Sequence, residues 1–261
     1  MPHCPTIGLD CRFAVTKSGV GRYTRELVSA LLKRNDSWQY VLFVRDPENH
    51  GLGALPHSGN FQFSIFNFQH YSPSEQVLFP HAIQRSNVSL MHFPHFNVPF
   101  FLPACRGEAQ RRRIPFIATI HDLILHRFPN EASAPKRLAY RLLMRNTVKR
   151  ASHLIAVSNA TADDLARTYG GHVRRRTSVI HEGISNEFTP ATEERKRSMR
   201  AKYHLPQDFL LYIGACKEHK NVQTLIEACP ENVSLVLVTS GKEVSRLRLL
   251  PNVRALLNVP D

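Results

Sequence analysis

The chain has 261 residues, 43% hydrophobic and 21% charged, with a formal net charge of +13. This predicts an ordinary globular core in one large or two smaller domains, and no stretch approaches the ~20 apolar residues that cross a bilayer. The basic excess points to an acidic partner, while five cysteines (Cys4, Cys11, Cys105, Cys216, Cys229) with no C-x-x-C pair argue against a zinc site or disulfide frame and predict a reduced, cytoplasmic protein.

The start, MPHCPTIGLDCRF, lacks the basic-then-apolar layout of a secretion signal. Thr6 to Leu9 then reads as a short strand ending at Asp10. A loop with Ser18-Gly19-Val20-Gly21 leads into a helix with Tyr23, Leu27, Ala30 and Leu31 on one face. Strand, glycine loop and helix can bring backbone N–H groups to an anion. Two glycines alone make no dinucleotide fingerprint, and positive φ in a turn is the more common reason for them. Tyr40 to Val44 and Phe61 to Phe68 follow as strands, Ser74 to Arg85 as a helix, and Val88 to His92 as a buried strand. His92 and His95 in HFPHFNVPFFLP are three apart, but the prolines forbid a helix aiming both rings at one ion and no carboxylate lies nearby. No metal is expected, and the aromatics suit a buried loop or an acceptor pocket.

Pro115 to Ile120 has the composition of a strand buried on both faces, and it stops abruptly at His121-Asp122. In an open parallel sheet the crevice past the carboxyl ends of the strands holds the ligand, so polar residues there face substrate. Pro135 to Arg150 is a helix with Arg137, Arg141, Arg145 and Lys149 every four residues, beside Leu138, Leu142 and Val148. Between Arg106 and Arg150 eleven Arg or Lys oppose three acids. Such a helix is either a solvated face or a surface for anionic lipid headgroups. His153 to Val157 is a strand, and Ser158 caps the helix that follows; capping accounts for Ser158 without a ligand. Thr177 to Ile180 is the last short strand of this half.

Ile184 to Pro190 and the charged run Thr192 to Lys202 mark the boundary expected between domains 1–188 and 189–261. Beyond it the pattern restarts: strand Phe209 to Ile213, polar turn Gly214 to Asn221, helix Asn221 to Ala228, strand Val233 to Val238, helix Val244 to Leu250 and strand Val253 to Leu257. Three strands and two helices are half of a doubly wound domain. The first half closes its strands on Asp10, His92, His121 and Ser158. The second delivers Gly214, Lys217, His219 and Lys220 to its own rim. Two facing rims would form an interdomain cleft, where a lysine at a glycine turn suits a diphosphate. Lys220 taken alone reads as a solvated turn lysine.

SGVGRYTREL, PFIATIHDLILHRFP, ASHLIAVSNATADDL, VIHEGISNEFTP and LLYIGACKEHKNVQTLIEA, in this order, resemble glycosyltransferase family 4 of the two-lobed GT-B architecture, over nearly the whole chain. The resemblance implies an α/β fold with an N-terminal Rossmann-like acceptor lobe and an incomplete C-terminal Rossmann-like donor lobe. It implies retaining transfer of a hexose, mannose or glucose, from a nucleotide-diphosphate sugar to a glycan or lipid-linked acceptor in polysaccharide or lipopolysaccharide biosynthesis. No metal or other cofactor is implied, and the setting is cytoplasmic, peripheral to the inner membrane face. His121 would face the transferred sugar and Lys220 neutralise the diphosphate, with Gly19 and Gly21 near the phosphates. His219 stands where an arginine is usual, which weakens the phosphate clamp. Asp10, Asp122, Ser158, Gly214 and Asn221 complete the set expected to face substrate or donor. The family's two glutamates separated by seven residues lie beyond the last residue of this sequence, so a fragment or a truncated chain is expected, and a truncated, non-catalytic acceptor-binding relative is the alternative. Nucleic-acid binding has only the charge in its favour, without a reading element.

Overall fold

The computed structural model describes residues 5–34, 37–55, 60–66, 71–104, 113–185, 188–257 and 259. The chain divides into two compact units, Met1–Gly183 and Ile184–Asp261. The division falls a few residues ahead of the expected 188/189 boundary. Cys4, Cys105 and the end of the expected third strand, Phe68, lie outside the described residues.

The first unit holds β1 (Thr6–Asp10), α1 (Gly19–Leu32), β2 (Gln39–Val44), β3 (Phe61–Ile65), α2 (Glu75–Arg85), β4 (Leu90–Phe93) and β5 (Phe116–Ile120). It continues with α3 (Ile124–Arg127), a 3-10 turn Pro129–Glu131, α4 (Ala134–Arg150), β6 (His153–Ala156), α5 (Asn159–Tyr169), α6 (Gly171–Arg174) and β7 (Thr177–Val179). All seven strands are parallel, in the order β3-β2-β1-β4-β5-β6-β7. The order reverses between β1 and β4, which makes that point the switch where ligands bind in doubly wound sheets.

Alternation along β2 shows how both faces are filled. Val41 and Phe43 pack with Phe79 and Ile83 of α2 and Met144 and Val148 of α4. Tyr40, Leu42 and Val44 pack on the opposite face with Val28 and Leu32 of α1. A run apolar at every position is what a strand covered on both sides requires. The buried face of α1 is Gly21, Thr24, Val28 and Leu32, one residue around from the expected Tyr23–Leu27–Ala30–Leu31 stripe. Tyr23 is instead drawn toward the rim by a hydrogen bond described below.

The second unit holds α7 (Glu193–Tyr203), β8 (Leu210–Ile213), a 3-10 turn Glu218–Lys220, α8 (Val222–Ala228), β9 (Leu235–Thr239), α9 (Gly241–Val244) and β10 (Val253–Leu257). Its three strands are parallel in the order β10-β9-β8. Val222, Ile226, Leu235, Leu237 and Val253 form its core with Cys216 and Cys229. The charged run expected as a linker is the helix α7. Thr192 Oγ accepts from Arg195 N at 3.3 Å, and Glu193 and Glu194 in the first turn with Arg200 and Lys202 in the last match the helix dipole. The expected helix Val244 to Leu250 is displaced: α9 ends at Val244, and Leu247 and Leu250 pack as turn residues against the core.

Candidate functional site

Three loops leave the sheet around its switch point, after β1, β4 and β5. His121 begins the third. Its Nε2 donates to the Pro94 carbonyl after β4 at 2.9 Å, and its Nδ1 lies 3.0 Å from Glu182 Oε1 after β7. The Tyr23 ring meets it edge-on, centroids 4.8 Å apart. The His121 carbonyl accepts from Thr161 Oγ1 at 3.1 Å. His121 is thus held by four elements on a partly open rim, its side chain 16% exposed and that of Glu182 51%. The sequence singles out His121 but not Glu182, although Glu182 also follows a strand end.

Beneath this rim Asp10 is not an open ligand group. It is buried, and its two oxygens accept from Arg12 Nε at 2.7 Å and Nη2 at 2.6 Å. Arg12 also donates to Glu75, buried in the first turn of α2, and to the Asn97 carbonyl at 3.0 Å, and it lies 4.2 Å over the Phe79 ring. Burial would pull the Arg12 pKa down; the Asp10 and Glu75 carboxylates reverse this and hold it above its ordinary value. Glu75 in turn accepts from Asn97 Nδ2 at 2.8 Å and from the backbone N–H of Tyr71 at 2.6 Å. Tyr71 adopts φ 58, a left-handed conformation rare for an aromatic residue.

His92 within β4 and His95 in the loop after it have separate roles. His92 is buried and bonded through Nε2 to Thr119 Oγ1 at 3.0 Å, which also meets Tyr23 Oη at 3.2 Å. Burial pushes the His92 pKa down to about 4 against a small opposing effect of Asp10, which keeps the ring neutral. His95 packs between the rings of Phe13, at 4.7 Å, and Phe96, at 4.1 Å. Among the described residues no three His, Cys, Asp or Glu side chains are grouped to hold a metal ion.

The two loop glycines differ. Neither has positive φ, so turn freedom is not their reason. A Cβ on Gly21 would stand 2.2 Å from the Thr16 carbonyl oxygen, whereas one on Gly19 would meet nothing within 4 Å. Gly21 therefore seats α1 against its own entry loop, and Gly19 leaves the first turn of α1 open. Ser18 caps that helix, its Oγ accepting from Gly21 N at 3.2 Å. Asp122 is exposed and closes a turn through Ile124 N at 3.0 Å. Ser158 caps α5 by accepting from Thr161 N at 3.1 Å, and Thr161 links that cap to the His121 carbonyl.

In the second unit, Gly214 follows β8 with φ 147, a conformation that favours glycine. Lys217 and Lys220 are exposed in the turn it opens, and His219 is partly buried. Asn221 takes the left-handed conformation at φ 49 that asparagine tolerates, and its Oδ1 accepts from Thr224 Oγ1 at 2.9 Å. Gly214, His219, Lys220 and Asn221 thus follow one strand end, whereas in the first unit Asp10, His121-Asp122 and Ser158 stand at the ends of three strands, β1, β5 and β6.

The basic helix is α4, and it buries Tyr140, Leu143, Met144, Thr147 and Val148. Of the expected apolar stripe only Val148 is inside. Leu138 and Leu142 stand outward, 60% and 49% exposed, on the face that carries Arg141, Arg145 and Lys149. Arg137 is turned back to donate to the Pro129 and Ala132 carbonyls. Arg145 and Lys149 also line a hollow of about 600 Å³ with Tyr169, His172 and Arg176. No helix among the described residues is long and apolar enough to cross a membrane.

Comparison with known proteins adds the family. The O-antigen chain mannosyltransferase RfbU of Salmonella typhimurium is 26% identical over 109 residues, 42% of this chain and about a quarter (27%) of that protein. Anabaena HepE superposes with TM-scores of 0.62 in complex with UDP-glucose and 0.65 with UDP and glucose, at 16% identity. Those matches cover 98% of this chain and 69% and 70% of HepE. S. aureus MnaA with UDP gives 0.53 at 9% identity, over 98% of this chain and 69% of that one. These likenesses establish the fold: α/β, GT-B-like, built from Rossmann-like parallel sheets. The Glycosyltransferase Family 4 profile matches residues 17–188, well over half of the sequence, and the chain belongs to glycosyltransferase family 4.

Proposed function

We propose that this protein acts in the metal-independent, retaining transfer of a hexose from a nucleotide-diphosphate sugar to a glycan or lipid-linked acceptor. The observation that carries the reading is His121, held at the open rim of a doubly wound sheet beside its switch point, in a chain of this family. The mannosyltransferase RfbU and the UDP-glucose complex of HepE support a hexose and a nucleotide-diphosphate donor. As the glycosidic bond breaks, negative charge grows on the β-phosphate, and preorganised positive groups and N–H donors lower that barrier. Lys220, exposed in its strand-end turn, takes this role as a point charge; the open first turn of α1 at Gly19 offers backbone N–H donors of its own to an anion. His121 orients the sugar; with both ring nitrogens engaged by the protein it is no nucleophile. Domain 1–188 is the acceptor side and 189–261 contributes to donor binding.

The acceptor is presented at an anionic membrane surface. The outward face of α4 supports this, since exposed Leu138 and Leu142 lie among Arg141, Arg145 and Lys149 and such faces settle at headgroup level. The test is incubation of the protein with a panel of nucleotide sugars, reading nucleotide release and thermal shift, together with His121→Ala and Lys220→Ala. Donor-dependent release that both substitutions abolish without lowering the melting temperature is expected. Near wild-type turnover in His121→Ala overturns the assignment. Neither release nor thermal shift with any donor favours an acceptor-binding module. Co-sedimentation with phosphatidylglycerol vesicles, lost in an Arg141/Arg145/Lys149→Glu variant, tests the membrane part.

A further inference from the structure

Glu182 belongs to a loop with no regular structure, yet that loop is tied down. Ile180 N donates to the Ala156 carbonyl at 3.0 Å and His181 Nδ1 to the Val157 carbonyl at 3.2 Å. Both anchors lie at the end of β6, the strand between β5 and β7. They carry the loop across the rim until Glu182 Oε1 stands 3.0 Å from His121 Nδ1. On the other side of the ring, Nε2 faces the Pro94 carbonyl, which can only accept. A neutral imidazole carries one proton, so the carbonyl claims it for Nε2 and leaves Nδ1 bare against a carboxylate. With two ring protons both acceptors are satisfied and Glu182 becomes the counter-charge.

We infer that Glu182 is a positioning residue for His121: it fixes the ring plane from the Nδ1 side and supplies the carboxylate partner of a doubly hydrogen-bonded imidazole. The ring is otherwise held by one hydrogen bond to Pro94 and the edge contact with Tyr23, which leave rotation about the Nε2 contact open. A Glu–His pair whose carboxylate is half exposed contributes little to folding, so the effect of its loss falls on the orientation of His121. The inference rests on the reading of His121 given above, and two independent measurements separate them.

The first needs no substrate. In the ¹⁵N-histidine-labelled protein at pH 6, with His121 assigned by loss of its signals in His121→Asn, two slowly exchanging ring N–H correlations are expected. Glu182→Ala should keep the Nε2–H signal and lose the Nδ1–H signal to solvent exchange, with an unchanged melting temperature. Absence of a protected Nδ1–H in the wild type, or its persistence in Glu182→Ala, overturns the inference. The second is turnover with the donor that the panel identifies. Glu182→Ala should lower kcat about tenfold with KM little changed, the scale of a misoriented group, and Glu182→Gln should restore part of it because the amide can hold Nδ1. Unchanged kcat in Glu182→Ala overturns the role in the reaction. Protected Nδ1–H in a protein that releases no nucleotide upholds the pairing and rejects the transferase reading instead.

Discussion

The two units are built from similar strands that meet different fates. FIATI in β5 and LLYI in β8 are both near-continuous apolar runs after a proline- or aspartate-bearing turn. β5 lies between β4 and β6 with a filled core, and four of its five residues are buried. β8 is the edge of a three-stranded sheet, and Leu210, Leu211 and Ile213 are 48%, 53% and 70% exposed. An apolar run identifies a strand, but only its neighbours in the sheet decide how much of it leaves water. The same contrast governs the polar groups: the first unit buries an ion cluster under its rim, while the turn with Lys217 and Lys220 in the second is open to solvent.

The ion cluster offers the largest way to sharpen this contrast. Arg12→Leu strips the counter-charge from buried Asp10 and Glu75, and should cost about 3–5 kcal/mol in urea unfolding of the first unit. A loss below about 1 kcal/mol would show that the cluster is solvated. Next, Leu237→Ala in the covered strand β9 should cost about 2–5 kcal/mol, whereas Ile213→Ser on exposed β8 should stay within about 0.5 kcal/mol. Comparable losses for the two would mean that β8 is covered in solution.

The buried histidine of the first unit gives a pH signature. The folded pKa of His92, about 4, lies below the unfolded value of ~6.5, so the unfolded chain takes up the proton first. Its contribution is complete above the unfolded pKa and is lost as pH falls from there toward about 4. Between pH 7 and 5 the loss should be about 2 kcal/mol, at ~1.4 kcal/mol per pH unit. Denaturation of His92→Gln should lack this part of the pH dependence; an identical slope in wild type and variant refutes it. The smallest expected effect separates the glycines. Gly21→Ala should destabilise by at least about 1 kcal/mol, because its Cβ meets backbone oxygen, and Gly19→Ala by less than ~0.5 kcal/mol. Equal melting temperatures would remove the packing role of Gly21.

Much of the fold is legible in the chain because its signals are local. The apolar runs of β2, β5 and β9, the Ser158 cap and the stop at His121-Asp122 can each be read within ten residues. Locality also explains the errors. The Thr192 cap and the dipole-matched charges of α7 were present to be read, but a polar helix has no apolar periodicity to announce it. The α4 stripe misleads because four-residue spacing of arginines fits either face, and contact with Phe96 and the sheet selects Tyr140, Met144 and Val148 for the inside.

By itself, the sequence determined an α/β chain with parallel strands, the polar residues that end each strand, and the family. Only the tertiary structure decided which of those residues share a site and which are consumed by the core. Asp10 is drawn inward by Arg12, two residues away, and Arg12 in turn is held by Glu75 across 63 residues of chain. His121 meets Glu182 across 61 residues of chain. Sheet order brings such pairs together, and it depends on strand pairing and on both faces being covered, which no local pattern of side chains encodes.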